Sequence, residues 1–182
     1  VPANTPIAIQ PLDSNGQALQ LMRSWFVAMP GEVVSCAGCH EDASSAPPAT
    51  RVPAARHEPD PITPWYGPTR GFSFIREVQP VLDQRCVSCH NGKSNRPDFR
   101  PAPPIHPAGR SKNYNNATSF SPSYLALRRH VRSPTIESDM HMLPPGEFHA
   151  ETTALVRLLR AGHHGLKLTR EEWDRFITWI DL

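Results

Sequence analysis

Cys86-Val87-Ser88-Cys89-His90 decides how this chain is read, and Cys36-Ala37-Gly38-Cys39-His40 repeats it. Both are Cys-x-x-Cys-His, the attachment signature of a c-type haem. The spacing follows from the chemistry. Two thiols three positions apart on one helical turn can each form a thioether to a vinyl group of a porphyrin. A histidine four positions after the first thiol lies on the same face and places its imidazole under the iron. The two motifs use all four cysteines of the chain. A structural zinc site also uses paired Cys-x-x-Cys, but it does not need a histidine directly after each second cysteine. The expected cofactors are therefore two haem c groups. Cys36, Cys39, Cys86 and Cys89 would hold them, with His40 and His90 as proximal iron ligands.

Composition points the same way. Of 182 residues only 38% are hydrophobic and 21 are proline, an apolar share below that of ordinary globular domains. Such a chain has difficulty burying enough apolar surface by itself. Two covalently held porphyrins would supply the missing interior, so the haem-free chain is expected to be largely unfolded. The net charge of +2, from 19 basic and 17 acidic residues, gives no reason to expect nucleic acid or an anionic membrane surface as partner. No run of 18 apolar residues occurs, so no membrane insertion is expected. Haem c is attached outside the cytoplasm, which implies a periplasmic or secreted location. With no signal peptide at Val1 and a helical pattern running to Asp181-Leu182, the chain reads as one domain of a longer protein.

Along the chain, residues 1–16 read as an extended, Pro-rich arm. Leu19, Met22, Trp25, Phe26 and Met29 recur at spacings of three and four, which predicts a helix over 17–29 with its methionines in the core. Residues 41–71 are rich in proline and glycine and predict a loop carrying Trp65 and Tyr66. These two aromatics read as a packing plug against a haem edge, or, for Tyr66, as an iron ligand or hydrogen-bond donor. A helix over 73–86, with Ser73 as N-cap and Pro80 in its first turn or at a kink, leads into the second motif. Ser121-Pro122 opens a short helix. A helix over 150–161, with Leu155, Val156, Leu158 and Leu159 buried, stops at Gly162. Thr169 and Glu172 form a capping box for the last helix, which carries Trp173, Phe176, Ile177 and Ile180 on one face. The expected fold is mainly α and loop-rich, a dihaem cytochrome c-like domain of short helices around two covalently bound haems. Its limits are 17–182, with a first haem segment at 17–71 and a second at 72–182. Residues 73–90 and 169–182 would clamp the second haem between them.

Each iron also needs a distal group, or stays open. His163 and His164 lie in the turn before the last helix and are candidates at the second haem. Met140-His141-Met142 followed by Leu143-Pro144 is the other candidate cluster, with His141 and Met142 able to serve either haem. His57, His106, His130 and His149 have no distinguishing context. Two strong axial ligands favour electron transfer and a low potential, a methionine raises the potential, and an open position admits small ligands. The expected function is single-electron transfer to and from a redox partner protein or fused redox domain. The rival readings are an enzyme whose first haem has an open face for peroxide or nitrogen-compound chemistry, and a haem-based ligand sensor.

Phe74-Ile75-Arg76-Glu77-Val78-Gln79-Pro80-Val81-Leu82, running into Cys86-Val87-Ser88-Cys89-His90-Asn91-Gly92, resembles cytochrome c modules of planctomycete proteins. Leu143-Pro144-Pro145-Gly146-Glu147-Phe148-His149-Ala150, Gly162-His163-His164-Gly165 and Trp179-Ile180-Asp181-Leu182 are similar to the dihaem C-terminal part of proteins related to the hydrazine synthase alpha subunit. The resemblance implies a large extracytoplasmic protein in which this part is one module. It also implies a six-coordinate, electron-passing haem at Cys86, Cys89 and His90. In that family a tyrosine shortly after one Cys-x-x-Cys-His ligates a catalytic haem. Here Glu41-Asp42-Ala43-Ser44-Ser45 follows His40, so neither that ligation nor that reaction carries over.

Overall fold

A computed structural model of the chain describes residues 1–22, 24–35, 56–106, 119–132 and 143–182. The second motif is delivered by a broken helix. α1 (Phe74–Glu77) and α2 (Gln79–Arg85) meet at Val78, with Pro80 in the first turn of α2. A proline there lacks only an amide that the first turn leaves unbonded in any case. Ser73 precedes α1 without capping it through its side chain. α3 (Pro122–Arg128) starts as expected, with the Ser121 side chain accepting from the Tyr124 amide. α4 (Ala154–Arg160) is preceded by a single 3-10 turn at Ala150–Thr152 and capped by Thr153, so the expected helix over 150–161 is split in two. α5 (Arg170–Asp181) carries the capping box, with Thr169 accepting from the Glu172 amide and Glu172 accepting from the Thr169 amide.

α2 and α5 contribute to one buried cluster. Val78, Val81, Leu82 and Phe176 are buried together with Phe99, Leu127, Leu155 and Leu159. Ion pairs lie along this seam. Arg85 Nε meets Glu172 Oε1 at 2.7 Å. Glu77, 1% exposed, takes both Nε and Nη2 of Arg70 at 2.7 and 2.9 Å and a further hydrogen bond from Arg175 Nη1. Arg70 and Arg175 lie over the ring of Trp65, and the Tyr66 hydroxyl donates to Asp174 Oδ2 at 2.6 Å. The 65–72 loop is therefore a strap across α1 and α5. Trp65 packs on Phe72.

The N-terminal region departs from its reading. The described residues of 17–29 form no helix. Ile7 and Phe26 exchange backbone hydrogen bonds at 2.9 and 3.0 Å, and Ile7↔Phe26 and Leu12↔Ala18 are antiparallel bridges. The arm and the expected helix thus pair as one ribbon. The turn is built by Asp13, whose Oδ1 accepts from the amides of Asn15 and Gln17 at 2.8 Å each. Asn15-Gly16 is a strong hairpin signal, and it prevails over a three-and-four periodicity that two short strands also satisfy. Trp25 and Met29, expected in a helix core, are 65% and 62% exposed.

The ribbon is tied down by the far end of α5. Asp181 is 5% exposed. Its carboxylate accepts from the Ala18 amide at 2.8 Å and the Ala150 amide at 2.7 Å, and its carbonyl accepts from Gln10 Nε2 at 2.7 Å. His149, also buried, lies 3.6 Å from the same carboxylate.

Glu77→Gln is expected to lower the unfolding free energy by roughly 3 kcal/mol in denaturant titrations, because it strands guanidinium groups around a buried position. The hydrogen bonds and charge of Arg70, joined by Arg175, hold the Glu77 carboxyl below its ordinary range. A lowered carboxylate contributes stability that is present above the unfolded-state range and is lost as pH falls through the folded value. Thermal scans should therefore show a stability loss on the acid side that is smaller in Glu77→Gln. Asp181→Ala should leave two buried amides unpaired, at about 1–3 kcal/mol each. It should also open residues 1–35 to limited proteolysis while the 73–182 part stays resistant.

Candidate haem site

α2 does not stop abruptly at Arg85. The Cys86 amide donates to Leu82 O, and the amides of Cys89 and His90 both donate to Cys86 O, at 3.1 and 2.9 Å. One further turn thus carries Cys86, Cys89 and His90, the arrangement the motif requires. Cys86 is half-buried and Cys89 exposed. Burial, with the neighbouring Cys89 and Glu172, pushes the Cys86 thiol up to about 11.

His90 is held from behind. Its Nδ1 lies 3.1 Å from Pro97 O, and its ring stacks on Phe99 with centroids 4.7 Å apart. A neutral imidazole that donates from Nδ1 presents Nε2 as its free lone pair, the tautomer a metal ligand needs. The loop that supplies these contacts is fixed in turn. The Phe99 amide donates to His90 O at 3.0 Å. The buried Gln79 on α2 donates to Phe99 O at 2.9 Å and accepts from the Ser123 hydroxyl at 2.6 Å. Gln79 has no motif around it, so sequence reasoning passed over it.

Cys86, Cys89 and His90 form one wall of a cleft of about 400 Å³. Leu82, Leu127, Leu155, Leu159, Leu166 and Phe176 line it with hydrocarbon, and His163 and His164 form the wall facing His90. Leu158, expected to be buried, is 49% exposed and lies at the mouth. The His90 and His163 ring centroids are 6.1 Å apart. Two imidazoles bonded to opposite sides of one metal through bonds of about 2 Å have centroids roughly 6 Å apart. An apolar slot with two thiols at one edge and two imidazoles at that spacing fits a covalently attached haem. Among the described residues no three His, Cys, Asp or Glu side chains converge to hold a bare ion; a porphyrin iron requires only two axial groups from the protein.

The turn that carries His163 is shaped by backbone conformation. Gly162 ends α4 at φ +85°, a left-handed residue for which glycine has no steric penalty. His164 at φ +49° is also left-handed, a conformation that costs a non-glycine residue of order 1 kcal/mol or more. Burial, then the charges of His164, His90 and Arg96, lower the pKa of His163, which favours the neutral ring.

The other candidates separate. His130, unremarkable in sequence, lines the cleft. The Leu155 amide donates to its carbonyl at 3.0 Å, which brings the end of α3 to the start of α4. Tyr66 is bound to Asp174 and does not line the cleft. His149 belongs to the Asp181 cluster, and His57 and His106 are exposed. Cys36, Cys39 and His40 of the first motif, with Met140, His141 and Met142, lie outside the described residues.

Residues 1–41 match the family model for the hydrazine synthase alpha subunit middle domain. The match covers the N-terminal ribbon and runs through Cys36-Ala37-Gly38-Cys39-His40. It names the middle domain, whereas the sequence resemblance pointed to the dihaem C-terminal part over 17–182. No curated protein matches the chain, and no solved structure matches it. Among the described residues no helix is long and apolar enough to cross a membrane.

Phe99→Ala should remove both the ring behind His90 and part of the core, at a cost of about 3–5 kcal/mol in chemical denaturation. Phe99→Leu should recover most of that loss, because most of the buried volume returns.

Proposed function

We propose that this chain is a dihaem c-type cytochrome domain that transfers single electrons as one module of an extracytoplasmic redox protein related to hydrazine synthase. The observation that carries the reading is the 6.1 Å spacing of His90 and His163 across an apolar cleft edged by Cys86 and Cys89. The N-terminal family match supports the relationship. When bound, haem supplies a reversible one-electron iron couple. The chain's own residues would hold it and surround it with hydrocarbon. Cys86 and Cys89 fix the porphyrin edge. His90, aligned by Pro97 and Phe99, and His163 across the cleft would hold the iron. His164 is the outer neighbour of His163, with ring centroids 4.6 Å apart.

With both imidazoles engaged, a haem held here would supply electron relay rather than substrate chemistry. The route in and out is the mouth of the cleft, where Ser88, Cys89 and Leu158 are exposed. A second haem at Cys36, Cys39 and His40 follows from the same motif. The 45 residues between His40 and Cys86 (positions 41 to 85) keep the two attachment points within one fold. The partner is a redox protein or a fused redox domain.

Intact-protein mass after co-expression with a haem-attachment system should show two covalent haems, and the Cys86→Ala, Cys89→Ala double variant should show one. A colourless, folded protein carrying zinc would sink the reading. Low-temperature electron paramagnetic resonance of the oxidised protein should show low-spin bis-imidazole iron at the second haem. His163→Ala should convert that signal to high spin and allow the reduced protein to bind carbon monoxide. His163→Met should raise the midpoint potential, and His164→Ala should do neither.

A further inference from the structure

The haem cleft is apolar where it is deepest, yet haem carries two propionate carboxylates on the edge opposite its vinyl groups. Those carboxylates must leave the hydrocarbon slot toward polar groups. A second hollow, of about 620 Å³, adjoins the cleft and shares Pro97 and His130 with it. It contains neither cysteine of the second motif. Ser94, Asn95, Arg96 and Arg129 supply its polar lining. Asp98 also lines it but is engaged by Arg100 at 2.6 Å.

The charge in this hollow is unspent. Among the described residues neither Arg96 nor Arg129 meets a carboxylate, whereas the other arginines around the cleft are committed; Lys167, at the rim of a further hollow, is a single exposed ammonium. Arg85, which lines the cleft itself, is paired with Glu172 at 2.7 Å. A third hollow beyond Leu159, Gly165 and Leu166 contains Arg160 and Arg170. These are paired with Glu151 and Asp174 at 2.7 and 2.9 Å.

We infer that the Arg96–Arg129 hollow is the carboxylate end of the haem site, with both guanidinium groups and the His130 ring holding the propionates of the haem at Cys86 and Cys89. The inference rests on the haem reading above. Guanidinium is suited to the task because it pairs with a carboxylate through two parallel hydrogen bonds. The arrangement has a redox consequence. A cation near the macrocycle disfavours the extra positive charge of ferric iron, so these residues raise the potential that the bis-imidazole ligation lowers.

The test is a spectroelectrochemical titration of the full dihaem chain, with the propionate-bending bands read by resonance Raman. Arg96→Gln and Arg129→Gln should each lower one of the two midpoint potentials, and Arg96→Lys and Arg129→Lys should largely restore it. The propionate bands should shift in the glutamine variants and in His130→Asn. Arg157→Gln is the control, since Arg157 is exposed on α4 and lines neither hollow. Glutamine variants that retain both haems yet shift no more than the control overturn the inference. An equal shift of both couples does so too. A wild-type chain without covalent haem at Cys86 and Cys89 overturns the underlying reading instead, and the mass spectrum distinguishes that failure.

Discussion

The seam between α2 and α5 is the constraint on which the rest of the structure depends. Leu82 and Phe176, both almost wholly buried, meet there. Burial of two such side chains is worth about 1.5–3 kcal/mol each. The seam is oriented by ion pairs on both sides, Arg85 with Glu172 and Arg175 with Glu77. Glu172 has a second role, because its carboxylate also accepts from the Thr169 amide in the capping box. The residue that starts α5 is therefore the residue that fixes the start of α5 beside the haem motif. Desolvation works against its charge, but Arg85 and the Thr169 amide more than compensate, and its carboxyl is held below the ordinary range.

From that seam the cleft follows. α2 ends in Cys86, Cys89 and His90, and the turn ahead of α5 brings His163 to the other side. The slot between them has a hydrocarbon floor. Its two histidines are positioned by different means. His90 is held by hydrogen bonding and stacking, through Pro97, Phe99 and the buried Gln79. His163 is held by backbone conformation, between a left-handed glycine and a left-handed histidine. A turn that stores strain beside an axial position is one that ligation can stabilise.

The opposite end of α5 connects the cleft to the part of the chain with the family match. Asp181 gathers the Ala18 and Ala150 amides and His149 at the base of the ribbon. One helix therefore lines the candidate cleft through Phe176 and holds the N-terminal ribbon through Asp181. The stretch with the family match is also tied to the segment before α4, through Gln17 to Glu151, Gln20 to Leu143 O and the Gly146 amide to Leu19 O.

What the sequence determined by itself was local. Cys-x-x-Cys-His is a covalent spacing, the Thr169–Glu172 box and the Ser121 cap are hydrogen bonds within one turn, and Gly162 is a backbone requirement of one residue. Each can be read because its partners are near in the chain. The tertiary structure decided everything that joins distant segments. Residues 17–29 pair with the arm before them because Asp13 builds a turn that strands on both sides can follow. Tyr66 donates to Asp174, 108 positions along the chain, and Leu158 is exposed instead of buried in the core. Gln79 and His130 carry no signature, and only packing brings them to the site. His163 and His164 were equal candidates in the sequence; which of them lies across from His90 depends on how α4 and α5 set the turn between them, a geometry that no spacing along the chain encodes.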